Sequence, residues 1–171
     1  AVLRAKAYLL AGDMDAGRRA AALALKLSGA MPGNPLEREL DVQGLLLRGA
    51  REAKDGEEGN RAAGSLLKAA GRLYPEGSPQ RVPVLMEAAS WYRFSSQFSR
   101  ERKRLEEAIA ILESTYGPQD RRLVEPLHDL GLSYIVAQEK PAQSAAALER
   151  ALALCGQATT AEVAQRAAVL A

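Results

Sequence analysis

The 171 residues carry 23 basic and 21 acidic side chains, are 47% hydrophobic and 26% charged, and include one Trp, five Tyr and two Phe. A net charge of +2 with acids and bases interleaved excludes a dedicated nucleic-acid surface, which needs a clustered basic stripe. A single cysteine, Cys155, excludes an internal disulfide, and the longest uncharged stretch, Ala151 to Ala161, falls short of the ~18 apolar residues of a membrane span.

Helix punctuation then runs the length of the chain. A first helix is expected over 2–11, closed by Gly12-Asp13, and a second over 14–29, closed by Met31-Pro32-Gly33-Asn34-Pro35. The next two, 35–53 and 57–73, flank a turn at Asp55-Gly56. Tyr74-Pro75-Glu76-Gly77-Ser78-Pro79 separates them from helices over 79–95 and 98–115, whose joint around Ser95 to Ser99 lacks glycine. Tyr116-Gly117-Pro118-Gln119-Asp120 precedes a helix over 121–138. Glu139-Lys140-Pro141 precedes one over 142–155, and a last helix spans 160–170. Glycine ends one helix and proline pre-sets the first turn of the next. No stretch alternates with period two for long enough to form a strand.

The elements keep a beat of 42 residues. Stepping by 42 from Tyr8 reaches Ala50, Tyr92 and Tyr134, and three residues earlier stand Ala5, Leu47, Ala89 and Gly131. Apolar positions at i, i+3, i+4 and i+7 give each helix one stripe, and a lone helix pair cannot bury it. The pairs must stack on their neighbours.

Leu127, Leu130, Gly131 and Tyr134, then Ser144, Leu148 and Ala151, together with Tyr8, Gly12-Asp13-Met14, Gly17 and Ala24, resemble the tetratricopeptide repeat. The 42-residue spacing is similar to the longer variant of kinesin light chains, whose inter-repeat loop Leu112-Glu113-Ser114-Thr115-Tyr116-Gly117-Pro118 resembles. Leu85, Ala88, Ala89 and Tyr92 match in the third repeat; Leu47, Ala50 and Glu101 depart from the pattern. The resemblance implies an all-α, right-handed solenoid of antiparallel helix pairs. One domain over 1–171 would hold repeats at 1–31, 32–75, 76–117 and 118–156 and a terminal helix at 160–171.

Catalytic chemistry finds no footing. His128 is the only histidine, so neither a histidine dyad nor a multi-histidine metal site can form within the chain, and no cofactor is expected. Cys155, in an apolar run, is expected to be a small buried hydrophobe. Glu57-Glu58 and Glu106-Glu107 point about 100° apart on a helix and are expected to be solvated. The run Arg100-Glu101-Arg102-Lys103-Arg104 is offset by acids that follow it and reads as a solvated face, with Arg102 and Lys103 exposed on the side opposite the groove. Trp91 and Phe94 share a face distinct from that of Tyr92, either as packing between helix pairs or as an exposed anchor.

The resemblance also implies that first helices line a concave groove. Transferred by register, the lining is Asp41, Arg48, Arg51 and Glu52 in repeat two and Met86, Ser90, Arg93 and Phe94 in repeat three. In repeat four it is Glu125, His128, Leu132, Ile135 and Val136. Such a mixture suits a partner peptide or helix with acidic and hydrophobic residues. The lysines and asparagines of the family's two-carboxylate clamp have no counterpart here. The expected function is therefore a non-enzymatic interaction scaffold or adaptor for another protein, with no nucleic acid and no membrane insertion. The alternative is self-assembly into a homo-oligomer through the terminal helix. No signal peptide is visible, and a first residue other than methionine suggests part of a larger protein. Seventeen arginines against six lysines, with abundant alanine, hint at a bacterial origin. Compartment stays open, the cytoplasm being favoured over the periplasm.

Overall fold

A computed structural model of the chain describes residue 8 and residues 13–27 and 33–169. The chain forms two compact units, Ala1–Ser96 and Gln97–Ala171, and the boundary falls inside the third repeat, at the joint without glycine. The N-terminal unit contains α1 (Met14–Leu27), α2 (Pro35–Ala53), α3 (Gly56–Leu73) and α4 (Val82–Phe94), with a 3-10 turn at Pro79–Arg81 leading into α4. The C-terminal unit contains α5 (Phe98–Tyr116), a 3-10 turn at Arg121–Leu123, α6 (Val124–Val136) and α7 (Pro141–Val169). No strand occurs among the described residues. The expected helix at 2–11 lies outside them except for Tyr8, which is helical.

Local chemistry explains the helix ends. Asn34 caps α2 by accepting the Leu36 N–H at 3.0 Å, and Pro35 follows at the first helical position. Asp55 caps α3 through the Glu58 N–H at 3.0 Å, and Asp120 accepts the Arg122 N–H at 2.9 Å. The joints within each pair reveal the 42-residue period in the backbone itself. Lys54, Ser96 and Gln138, spaced by 42, all adopt left-handed conformations with φ of 54°, 57° and 56°. The amides after the left-handed joints at Lys54 and Gln138 reach back five residues: Asp55 donates to Ala50 O at 2.8 Å and Glu139 to Tyr134 O at 2.9 Å. Asp13 does the same to Tyr8 O at 3.0 Å. None of these left-handed residues is glycine, which is why composition alone made the joint at Ser95–Ser99 look weak.

Within the N-terminal unit, α2 packs on α1, α3 and α4, and α3 packs on α4. Their shared core holds Ala21, Ala24, Val42, Leu46, Leu47, Ala50, Ala62, Ala63, Leu66, Ala88, Trp91 and Tyr92. In the C-terminal unit α6 packs on α5 and α7, and Leu105, Leu112, Leu123, Leu127, Tyr134, Ala151 and Leu154 are buried. The repeat tyrosines Tyr92 and Tyr134 are thus buried, as the register predicts.

Two contacts set how successive repeats fit. A Cβ added to Gly59 on α3 would stand 2.0 Å from Cζ2 of Trp91 on α4, so only glycine leaves room for the indole. Forty-two residues later both sizes are exchanged: Glu101 on α5 is buried, and Ser133 on α6 donates to its carboxylate at 2.8 Å. Inside the fourth repeat, a Cβ at Gly131 would lie 2.5 Å from Leu148 Cγ and 3.3 Å from the Ser144 carbonyl.

One expected boundary is corrected. Residues 156–159 do not break the chain: α7 is helical without interruption from Pro141 to Val169, so no separate helix begins at 160. Gly156 has no proline after it, and a lone glycine costs a helix only about 1 kcal/mol.

Two variants test these joints. Gly131→Leu should cost about 1–3 kcal/mol of stability, because Leu148 and the Ser144 carbonyl both stand in the way. An unchanged denaturation midpoint would refute the register of the fourth repeat. Lys54→Gly should stabilise by roughly 0.5–1 kcal/mol in chemical denaturation, since glycine removes the left-handed penalty at slight entropic cost. A loss of stability would mean that the Lys54 side chain outweighs its backbone strain.

Candidate functional site

The face expected from repeats two and three lies on α2 and α4, adjacent helices of the N-terminal unit. Arg48 reaches Glu87 at 3.2 Å, and Arg51 donates to Ser90 Oγ at 3.0 Å, both across 39 residues. The Arg51 guanidinium lies 5.7 Å from the centroid of the Phe94 ring. Its Nε is buried and without a hydrogen-bond partner among the described residues. Phe94 is 45% exposed and rests on Trp91, ring centroids 5.5 Å apart and planes tilted by 41°. Trp91 is fully buried, and its indole N–H donates to Asn60 Oδ1 at 3.1 Å. The two readings of this aromatic pair therefore divide: Trp91 is packing, and Phe94 is the exposed member.

Arg48, Arg51, Ser90 and Phe94 are brought together. Asp41 and Glu52 are exposed, and Met86 and Arg93 are half-buried. Glu87 belongs to the face but was not anticipated. The available signal was its 39-residue offset from Arg48, identical to that linking Arg51 and Ser90. The Arg48–Glu87 pair is largely solvated, Arg48 being 64% exposed, so it constrains geometry more than it stabilises.

On α6, His128, Leu132 and Ile135 follow at i, i+4 and i+7 and form one stripe. His128 is exposed with Nδ1 3.7 Å from the Asp129 carboxylate, Leu132 is half-buried, and Ile135 and Val136 are 53% and 58% exposed. Glu125 is exposed. Ile135 also lines a pocket of about 480 Å³ at the turn between α6 and α7.

Three expectations about polar and reactive groups are overturned. Cys155 is exposed, not buried. α6 has 13 residues, so the antiparallel α7 passes its far end after a similar length, near residue 154, and Cys155 lies past the paired stretch. Glu58 is buried beneath Arg61, at 2.8 Å, and Arg18, at 3.5 Å, instead of solvated. Arg102 is buried rather than exposed: it bonds Glu139 at 2.8 Å and covers the Tyr134 ring at 4.8 Å. Its aromatic neighbour is 32 residues away in sequence, beyond any local charge pattern.

Among the described residues no three His, Cys, Asp or Glu side chains gather as metal ligands would. No helix among them is long and apolar enough to cross a membrane.

Paired helices, a period written into backbone turns and inter-repeat sockets define a helical-repeat protein. No protein-family model matches the chain, and no curated protein matches it either. Among solved structures it is similar to BtubC (BKLC) from P. vanneervenii, with a TM-score of 0.70 and 18% identity. The match covers 88% of this chain and 59% of BtubC, so the chain spans little more than half the length of that protein. At this identity the likeness concerns the fold, an all-α array of antiparallel helix pairs.

A charge cluster closes the joint between α1 and α3. Asp55 accepts from Arg18 at 3.1 Å, and Arg18 also bonds Asp15 at 2.8 Å, which above all raises its pKa. The Glu58 N–H, foremost, holds the Asp55 carboxyl below its ordinary 3.8; desolvation opposes this and the Arg18 charge adds to it. Asp55 therefore ionises more readily folded than unfolded. Its contribution is present above the unfolded value and fades as pH falls through the lower folded one. Asp55→Asn keeps a capping oxygen but cannot titrate, so its melting temperature should fall less steeply than wild type below about pH 4. An identical acid limb would remove Asp55 from the account.

Proposed function

We propose that this chain is a protein-interaction scaffold of tetratricopeptide type, in the longer kinesin-light-chain-like form, and that it binds rather than catalyses. The face formed by Arg48, Arg51, Ser90 and Phe94 takes a partner segment that carries acidic and hydrophobic residues. One observation carries this reading: Phe94 is nearly half exposed, yet it packs against the tilted Trp91 ring and the Arg51 guanidinium lies over its own. An aromatic ring held in place before binding loses little entropy when a partner covers it, and aromatic and arginine residues dominate binding energies at interfaces. Arg51 adds a guanidinium that can fork onto a carboxylate. Arg48 contributes less, because an incoming acid must displace Glu87. The 42-residue turn register and the likeness to BtubC support the repeat type.

The test is capture of a partner from a cell extract, identified by mass spectrometry and then measured with purified components. Arg51→Ala/Phe94→Ala should weaken binding by about 30-fold or more, as expected for loss of an anchor worth at least ~2 kcal/mol. Its melting temperature should stay within about 4 °C of wild type. Lys68→Ala, an exposed change on α3, serves as control and should leave binding unaltered. Binding that survives the double variant and fails in the control would move the site off this face.

A further inference from the structure

Two guanidinium groups stand one helical turn apart on α2, and α4 meets them differently. Arg48 and Arg51 are three positions apart, as are Glu87 and Ser90, so two rungs run side by side between the helices. In the first rung a carboxylate meets the guanidinium, Glu87 to Arg48 at 3.2 Å. In the second a hydroxyl does, with Arg51 donating to Ser90 Oγ at 3.0 Å. A hydroxyl carries no charge, and Arg51 has no carboxylate partner among the described residues. Glu52, next along α2 and exposed, points about 100° away from it. The exposed Phe94 ring, 5.7 Å from the Arg51 guanidinium, therefore lies beside a cation that no described acid balances.

We propose that, on a face that binds as described above, Glu87 sets the charge class of the partner. By holding Arg48 it leaves Arg51 as the cation open to a partner. The face then takes a segment with one carboxylate near its apolar side chain and gains little from a second negative charge. A carboxylate on Arg51 matches one charge with one. A phosphoserine carries close to two negative charges above its second pKa of about 6, and its second charge would stand roughly 5–6 Å, one rung, from the neighbouring pair. There the attraction of Arg48 and the repulsion of Glu87 nearly cancel. Without the Glu87 charge, Arg48 and Arg51 become two guanidinium groups one rung apart, a clamp suited to a dianion. The pair is open enough for solution probes to reach it, Arg48 being 64% and Glu87 32% exposed.

The probes are short acetylated, alanine-based peptides with a central Leu-Ala-Asp or Leu-Ala-phosphoserine. In an extended segment, side chains two positions apart share a face about 7 Å apart, close to the 5.7 Å between Phe94 and Arg51. Binding to the full chain, above neutral pH and at low salt, is followed by NMR through the Phe94 ring and Arg51 Nε–H signals. Wild type should bind the phosphoserine peptide no more than about 3-fold more tightly than the Asp peptide. Glu87→Gln, which keeps the shape of the side chain, should strengthen the phosphoserine peptide by about 10-fold and the Asp peptide by no more than about 3-fold. Arg48→Ala/Glu87→Gln should return to the wild-type ratio, because the gain requires the released Arg48. A wild type with a larger preference for phosphoserine overturns the role of Glu87 and leaves the binding face standing. So does a phosphoserine gain in Glu87→Gln no larger than the Asp gain, or one that persists without Arg48. If neither wild type nor Glu87→Gln shows Phe94 and Arg51 signals that move with the Asp peptide up to about 1 mM, the binding face itself falls, and the role of Glu87 with it.

Discussion

Everything in this fold depends on one steric requirement, that the second helix of a repeat and the first helix of the next must exchange volume at a single recurring contact. Gly59 yields to Trp91 in one unit, and in the other Glu101 is bulky where Ser133 is small. No helix pair carries enough apolar surface to stand alone, so this contact is what seats α4 on α3 in the N-terminal unit and α6 on α5 in the C-terminal one. Because interiors are packed to the density of organic crystals, a large residue on one side demands a small one opposite. The same exchange is written within pairs. Gly131 meets Leu148 in the fourth repeat, whereas the second repeat has Leu47 and Ala63 at those register positions, both buried. What looks like degeneracy at each position is conserved volume across the two.

That requirement sorts what could be read from the chain and what could not. The period, the helix order and the burial of Tyr92 and Tyr134 were legible, because hydrophobic stripes and proline–glycine stops are local properties. The register also carried Arg48, Arg51, Ser90 and Phe94 to a common face, since residues 39 apart occupy neighbouring rungs. Partnerships across the repeats were not legible. Glu58, Arg102 and Glu101 look like solvated charges in sequence, and each is buried by a residue from another helix. Glu101 looked like a departure from the repeat pattern only because Ser133, which compensates for it, lies 32 residues away.

Polar groups in the core carry a different kind of information from apolar ones. An alanine or leucine stripe tolerates small shifts, whereas a buried carboxylate that needs a hydroxyl tolerates few, because unsatisfied polar groups cost more than imperfect apolar contacts. Glu101 with Ser133 therefore fixes which face of α5 meets α6, while the surrounding Ala and Leu residues supply the bulk of the burial.

The longer turn before α7 has a consequence of another sort. Lys54 and Ser96 each make their joint with one left-handed residue, but the fourth repeat uses two, Gln138 and Lys140, and so accommodates an additional residue. The Glu139 amide still reaches Tyr134 O, Gly131 still receives Leu148, and Ser144 still bonds the Gly131 carbonyl at 3.0 Å. The chain thus contains its own insertion experiment: length can be added at this corner, and the paired helices beyond it keep their fit. Corners of this kind are where such a helical array can acquire loops during evolution, or receive grafted epitopes in the laboratory, without renegotiating its interior.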